Sequence, residues 1–150
     1  MAFTTTVAVR FGDEDHAGIV YYPRFFDYYH LAMEEFFDRG VGIPYADIVK
    51  KWRVGFPAVH VEADFLSPLK YGDTMIIAVA VTKVGRSSVR MKYRVRRAGD
   101  DTRVAEARLT TVCVDMDTFR SRNIPDELRL IFDRFLDDGT GEIPDEMIVR

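Results

Sequence analysis

The longest periodic segment of the chain begins at Pro23. Proline suits the first helical position because its missing N–H would be unpaired there anyway, and Gly40 stands where a left-handed stop residue belongs. The spacing therefore predicts a helix from about Pro23 to Arg39. At 100° per residue, one half of this helix is apolar and mostly aromatic, which predicts a large surface packed around it. That half contains Phe25, Phe26, Tyr28, Tyr29, Ala32, Met33, Phe36 and Phe37.

Alternating apolar and polar positions predict strands on both sides of the helix. Residues 5 to 11 form the first. In the second, Val59, Val61, Ala63 and Phe65 alternate with polar residues, the pattern of a half-buried strand. Residues 74 to 82 are apolar on both faces and predict a strand covered on each side. In residues 89 to 96 the polar face is basic, and we interpret it as a solvated face; it contains Arg90, Lys92, Arg94 and Arg96.

The order of these elements predicts an α+β fold. A further strand is predicted over residues 103 to 115, and Pro125 opens a short helix that turns Leu128, Ile131, Phe132 and Phe135 inward. One strand, one long helix and four successive strands favour an antiparallel sheet packed on a single helix. We expect one domain over residues 1–150, with residues 138–150 a loosely ordered tail. Because one helix cannot cover such a sheet, we also expect self-association.

Composition narrows the classes of function. The 150 residues carry a net charge of −3 with a pI near 5.6, which gives no overall attraction for nucleic acid. No apolar run approaches the length of a membrane span and no leader pattern is present, so we expect a cytoplasmic protein without membrane contact. We interpret Cys113, the single cysteine, as a small buried residue. The cysteine and histidine residues do not have the spacing of a zinc site, so we expect no bound metal.

The most charged stretch is GDEDHAGIVYYP, residues 12–23. Its opening resembles a calcium loop, but Ala17 and Arg24 occupy positions that must supply oxygen ligands. No serine elbow, cysteine triad or phosphate-binding loop is present. A carboxylate beside a helix N-terminus can perform acyl transfer, because helix amides stabilise a developing oxyanion. Solvated turn acids that favour a helix start remain the alternative explanation.

This stretch closely resembles the signature of the 4-hydroxybenzoyl-CoA thioesterase family, whose members have the hotdog fold: a curved antiparallel sheet around one long central helix. The segments VGFP (54–57), FLSP (65–68), GD (72–73) and GRSS (85–88) are similar to strand borders and turns of that family. The resemblance covers roughly residues 5 to 135. It implies an acyl-CoA thioester hydrolase that needs no cofactor, since coenzyme A is part of the substrate.

The resemblance also assigns catalytic roles. It implies that Asp15 is the catalytic carboxylate, acting as nucleophile or general base, and that the backbone N–H of Tyr22 polarises the carbonyl, with Gly18 allowing tight packing of the loop. Tyr22 stands where many fatty acyl-CoA hydrolases of the family carry histidine, which favours an aromatic, hydroxybenzoyl-like substrate. His30 stands where relatives usually carry an acid, and we interpret it as a residue at the boundary of the apolar face with local hydrogen bonds.

Substrate-binding residues follow in the same way. Arg86 and Ser87 resemble the turn that contacts the nucleotide of coenzyme A, and a forked guanidinium suits a phosphate. Tyr21 and Phe25 are candidate walls for an aromatic ring, although core packing explains such residues equally well. The resemblance implies a homodimer assembling to a homotetramer. Two alternatives stay open: a non-catalytic hotdog module that binds acyl-CoA or acyl carrier protein, and a hotdog dehydratase.

Overall fold

The computed structural model of the protein describes residues 2–137. The predicted tail, residues 138–150, lies outside the described residues. Among residues 2–137, no helix is both long enough and apolar enough to cross a membrane.

A five-stranded antiparallel sheet forms one layer of the protein. The strands of the chain are β1 (Phe3–Ala8), β2 (Val54–Gly55), β3 (Ala58–Phe65), β4 (Thr74–Val84), β5 (Ser88–Arg97), β6 (Arg103–Val112) and β7 (Val114–Asp115). Five of them form the sheet in the order β1-β4-β5-β6-β3, so β1 and β3 are its edges. The two short strands β2 and β7 pair with each other.

The second layer is helical. Helix α1 (Arg24–Glu35) packs its buried face on the sheet through a contact of the Tyr29 ring with the Tyr93 ring of β5, 5.3 Å between centroids. Helices α2 (Tyr45–Lys50) and α3 (Asp126–Asp133) follow. The predicted core residues Tyr29, Phe36 and Phe37 are almost fully buried. The α+β class and the predicted order of one strand, one long helix and four main strands are confirmed.

The predicted end of the long helix is wrong in detail. Regular α-helix ends at Glu35, and a wider turn, Phe36–Val41, continues to Gly42. Gly42, with φ +86°, is the left-handed stop, whereas Gly40 lies inside the turn. A methyl group at Gly40 would meet the Phe36 and Phe3 rings at 3.1 and 3.3 Å, so this glycine permits close packing. Sequence reasoning also missed α2, which is only six residues long.

Strand β3 is more exposed than predicted. The predicted alternation of buried and exposed residues is not seen in the single chain, although Phe65 faces α1, where its ring lies 5.4 Å from that of Phe25. In the single chain, Val59, Val61 and Phe65 are 62, 42 and 39 % exposed. The reason is that β3 is an edge strand, bordered by β6 on one side only. A strand of eight residues with an apolar face and a free edge invites pairing with another chain.

The basic face of β5 is not the solvated face that the sequence predicts. The Lys92 side chain is fully buried, and its Nζ lies 3.3 Å from Oε1 of Glu106, which is equally buried on the neighbouring strand β6. Arg94 lies 3.2 Å from Asp137. A buried ammonium requires a countercharge because desolvation strongly disfavours an isolated ion. Only Arg90 and Arg96 of the four retain largely exposed side chains.

The C-terminal elements agree with the sequence pattern. Helix α3 begins after Pro125 and buries Leu128 and Phe132, and Phe135 just beyond it is also buried. Cys113 is a free, fully buried thiol, as its interpretation as a small buried residue predicts. Its Sγ lies 3.9 Å from the carbonyl oxygen of Asn123.

Replacing Gly42 with alanine tests the stop signal. An L-residue held in the left-handed region costs about 1 to 2 kcal/mol, so Gly42→Ala should lower the free energy of unfolding by that amount. Denaturant unfolding followed by circular dichroism measures it. The matched control is Gly12→Ala, because a methyl group there meets no atom within 4 Å and φ is not positive. Equal stability of the two variants would contradict this account of the helix end.

Candidate active site

The acidic stretch folds into a miniature hairpin just before α1. The N–H of Tyr21 donates to the carbonyl of Asp13 at 2.9 Å, and the N–H of Asp15 donates to that of Ile19 at 3.0 Å. The N–H of Val20 donates to Leu69 at 2.8 Å, which ties the hairpin to the connection between β3 and β4. The loop is therefore a defined structure at one end of the sheet.

Asp13 is an anchor for this loop. Its Oδ2 accepts hydrogen bonds from the Arg10 N–H at 2.9 Å and from the hydroxyl of Tyr28, on the second turn of α1, at 2.7 Å. Burial, and then the hydrogen bond to Asp13, raises the pKa of Tyr28 far above its usual value, so the hydroxyl stays a donor throughout the neutral range. Asp13 is thus committed to holding the loop against the helix.

Asp15 is differently placed. One of its oxygens accepts the N–H of Ala17 at 2.8 Å, a local turn contact, and the side chain is exposed in the single chain. Along the hairpin, Asp15 lies two residues beyond the Asp13–Tyr21 pair, about 7 Å of extended chain. Of the two aspartates, Asp15 is the one whose carboxylate is left accessible to another molecule.

Gly18 shapes the tip of the hairpin. Its φ is +77°, and its N–H donates to the carbonyl of Asp15 at 3.0 Å. A methyl group there would meet no atom within 4 Å. The turn therefore needs the left-handed backbone of this glycine, and the predicted reason, tight packing of the loop, stays a prediction.

The start of α1 leaves one amide without an acceptor. The N–H groups of Arg24, Phe25 and Phe26 donate to the carbonyls three residues earlier, at 2.8 to 3.1 Å. Pro23 has no N–H. Within residues 2–137, no hydrogen bond uses the N–H of Tyr22, which directly precedes this proline. An unpaired amide at the positive end of a helix is suited to an oxyanion.

Aromatic rings surround that amide. Tyr21 and Tyr22 are 48 and 59 % exposed, and their rings lie 5.5 Å apart. The Tyr22 ring also lies 6.0 Å from that of Phe65 on β3. Phe25 is buried beneath them, so core packing accounts for it, and its predicted role as a substrate wall stays a prediction.

A cavity of about 370 Å³ opens further along α1, between this helix and the strands β3, β6 and β5. Its volume lies within the range of small-molecule sites. The helix contributes Phe26, Tyr29, His30 and Met33 to its lining. His30 lies at the rim, with its Nε2 4.0 Å from Glu34 and most of its side chain exposed. Asp15 does not line this cavity.

The predicted nucleotide contacts lie at the opposite end of the sheet. Arg86 and Ser87 occupy the turn between β4 and β5, whereas the Asp15 hairpin packs near the first residues of β4. Eleven residues of β4 separate the two ends, about 33 Å. Within one chain, the structure therefore does not bring Arg86 and Ser87 together with Asp15. The carbonyl of Arg86 accepts hydrogen bonds from Ile124 and Arg129, while its side chain is exposed.

Two features of the site escaped the sequence analysis. The Tyr28–Asp13 hydrogen bond joins residues fifteen positions apart, and no periodicity of the sequence predicts it. The role of Tyr29 in lining a cavity was hidden because its helical position equally predicts a core residue. The available signal was the hydroxyl group of each of these tyrosines, since a buried tyrosine hydroxyl requires a hydrogen-bond partner.

Comparison with known proteins identifies the family. Residues 9–132 match the family described as the thioesterase-like superfamily. The chain belongs to this superfamily. The prediction of a thioesterase family is thereby confirmed.

Individual relatives carry the names of thioester hydrolases, and they confirm the prediction of a thioester hydrolase. The thioesterase is 34 % identical over 128 residues to a 1,4-dihydroxy-2-naphthoyl-CoA hydrolase of Nostoc punctiforme, covering 85 % of this chain and 84 % of that protein. The crystal structure of a 1,4-dihydroxy-2-naphthoyl-CoA thioesterase from Synechocystis superposes with a TM-score of 0.81 at 22 % identity, covering 89 and 96 % of the chains. The BH1999 gentisyl-coenzyme A thioesterase gives 0.78 at 26 % identity, covering 87 and 99 %. The predicted hotdog fold is confirmed.

Removing the Tyr28 hydroxyl tests the anchor. Tyr28→Phe deletes a hydrogen bond to a carboxylate, so the thioesterase should lose roughly 1 to 2 kcal/mol of unfolding free energy. Tyr71→Phe is the control, because Tyr71 is 58 % exposed and its ring packs on Phe11 without a hydroxyl contact in the described residues. Urea unfolding measures both. If the two variants were equally stable, Asp13 would not be an anchor.

Proposed function

We propose that this thioesterase hydrolyses an aromatic acyl-CoA thioester, with Asp15 as the reacting carboxylate and the Tyr22 N–H as the group that polarises the thioester carbonyl. The observation that carries the proposal is the difference between the surroundings of two aspartates in one loop. The carboxylate of Asp13 is occupied by two donors, whereas that of Asp15 is exposed on the hairpin that leads to the Tyr22 N–H, an amide without an acceptor among residues 2–137.

The chemistry follows from these two groups. The Tyr22 N–H and the dipole of α1 stabilise the negative charge that develops on the carbonyl oxygen. Asp15 then acts in one of two ways. As a nucleophile, its oxygen bonds to the carbonyl carbon, the thiolate of coenzyme A leaves, and water cleaves the resulting anhydride. As a general base, it removes a proton from water while the water oxygen attacks, and the thiolate leaves in the same way. Neither route requires a cofactor.

An aromatic acyl group is supported by two lines. Relatives named for 1,4-dihydroxy-2-naphthoyl-CoA and gentisyl-CoA act on aromatic thioesters. In this chain, the Tyr21, Tyr22 and Phe65 rings stand exposed around the helix start, and flat rings stack favourably on such surfaces. A hydroxybenzoyl-like substrate therefore fits the proposal better than a flexible fatty chain.

We further propose that the working unit is a homodimer paired through β3, and that two dimers join in a homotetramer. Among residues 2–137, no strand pairs with the outer edge of β3, and this strand carries the exposed apolar residues Val59, Val61 and Phe65. A two-fold axis at this edge extends the five-stranded sheet into a continuous one and covers the apolar residues.

The same pairing accounts for Arg86 and Ser87. Antiparallel pairing of β3 with its copy reverses the direction of the partner's sheet, so the partner's turn between β4 and β5 approaches the end of the sheet that carries Asp15. A forked guanidinium there suits the phosphates of coenzyme A. In this arrangement one protomer supplies Asp15 and Tyr22, and the other binds the nucleotide. A cytoplasmic location stays a prediction from the sequence.

Substituting Asp15 tests the reaction. Asp15→Asn keeps the shape but removes the negative oxygen that either route needs, so turnover should fall by about 10² or more. Glu14→Gln is the matched control: an adjacent acid of the loop that has no part in the proposed chemistry and should keep near-normal turnover. A thiol-trapping dye measures release of coenzyme A from a panel of acyl and aroyl esters. Near-normal turnover in folded Asp15→Asn would reject the assignment.

A charge on the β3 edge tests the dimer. The side chain of Val59 is 62 % exposed in the single chain, so Val59→Asp is tolerable in a monomer but unfavourable if a partner covers it. Light scattering should give the parent protein at least twice the 17.3 kDa chain mass and Val59→Asp a lower mass. Val59→Thr, which keeps the β-branched shape, should associate like the parent. A monomeric parent would contradict the proposed assembly.

A further inference from the structure

Tyr29, one of the residues that line the cavity beside α1, has a hydroxyl group that no other group among residues 2–137 satisfies. Thr111 donates its hydroxyl to the Val89 carbonyl at 3.1 Å, and the hydroxyl of Tyr45 accepts the Phe56 N–H at 3.1 Å. The Tyr93 hydroxyl contacts the Met91 sulfur at 3.9 Å. In contrast, the Tyr29 hydroxyl is buried and has no hydrogen-bond partner among residues 2–137.

Such a group is unusual. Tyr29 is 1 % exposed, and a buried hydroxyl without a partner costs about 1 to 3 kcal/mol. Native proteins keep few of these groups, and each one calls for an explanation, such as a bound molecule. Burial raises the pKa of Tyr29 well above its usual value, with smaller contributions from Glu106 and Asp64, so the hydroxyl stays protonated and can both donate and accept.

The position of Tyr29 suits a group attached to the thioester. Tyr29 lies seven residues after Tyr22, about 10 Å along a helix, and helical side chains lean toward the N-terminus, which shortens the distance. An acyl group whose carbonyl meets the Tyr22 N–H would therefore extend along α1 past Phe26 into the cavity. The lining there is largely aromatic and aliphatic, apart from the hydroxyls already described and His30 at the rim.

From this arrangement we infer that Tyr29 is a specificity-determining residue, whose hydroxyl hydrogen-bonds a hydroxyl substituent on the ring of the acyl group held in the cavity. This inference rests on the proposed function, because it places the acyl group of that reaction. His30 is not needed for it, since most of its side chain is exposed and its Nε2 lies 4.0 Å from Glu34. The cavity would thus prefer a hydroxylated ring to an unsubstituted one, because only the former satisfies the buried hydroxyl.

The structure also makes the test clean. The Tyr29 ring is held by the rings of Phe26 and Tyr93, with centroids 6.1 and 5.3 Å away. Tyr29→Phe keeps these contacts and removes only the hydroxyl. Because that hydroxyl has no partner in the described chain, the variant should fold at least as stably as the parent. Tyr71→Phe, on the exposed surface, controls for the loss of a tyrosine hydroxyl elsewhere.

Binding of two unreactive thioethers measures the preference without turnover. We would titrate the full-length protein calorimetrically with 4-hydroxyphenacyl-CoA and with phenacyl-CoA, which differ by one hydroxyl. The parent and Tyr71→Phe should bind the hydroxylated probe about 10-fold more tightly, the value of one hydrogen bond. In Tyr29→Phe this ratio should fall close to one, with the affinity for phenacyl-CoA unchanged.

The outcomes separate this inference from the proposed function. Equal affinity of the parent for the two probes, no binding of either, or an unchanged ratio in Tyr29→Phe would overturn the role of Tyr29. Turnover of aroyl-CoA esters by the same parent sample would then still support the proposed reaction. Conversely, a Tyr29-dependent binding ratio in a protein that releases no coenzyme A would uphold the inference and reject the reaction.

Discussion

The carboxylate of Asp13 is the contact on which the geometry of the site depends. It receives the Arg10 N–H from the loop and the Tyr28 hydroxyl from α1, so the loop and the helix are locked to each other. The proposed chemistry needs this lock, because a carboxylate on the loop and an amide at the helix start must keep a fixed separation. Two aspartates separated by a single residue therefore have different roles: Asp13 holds the structure, and Asp15 is available to react.

Much of the fold could be predicted from the sequence, because the signals that determine its main helix and strands are local. Pro23 and the aromatic face of α1 predict the helix, and alternation predicts the main strands. The errors occur where tertiary packing decides. Gly40 looks like a stop but is kept small by the Phe36 and Phe3 rings, and the true stop, Gly42, is two residues further. Lys92 looks solvated because a strand pattern cannot show that Glu106 lies beside it on the next strand.

For the site, the motif indicated which residues take part. It did not indicate which of them hold the loop in place and which are available to react. The resemblance singles out Asp15, the Tyr22 amide and Gly18, and the structure places them on one hairpin and the start of α1. It does not reveal that Tyr28 anchors Asp13 or that the Tyr29 hydroxyl has no partner in the described part of the chain, because both depend on distances between residues far apart in the sequence. It also could not show that Arg86 lies at the opposite end of β4, which makes a second protomer necessary for the proposed nucleotide contact.

The central claim is that a thioester carbonyl is bound between the Asp15 carboxylate and the Tyr22 N–H. The most direct test is a crystal structure of the protein with an unreactive aroyl-CoA analogue in which a methylene group separates sulfur from the carbonyl. The account predicts the carbonyl oxygen at about 2.7 to 3.1 Å from the Tyr22 nitrogen, with an Asp15 oxygen facing the carbonyl carbon directly or through one water molecule. A carbonyl bound away from the start of α1, with Asp15 turned into solvent in the assembled protein, would contradict it.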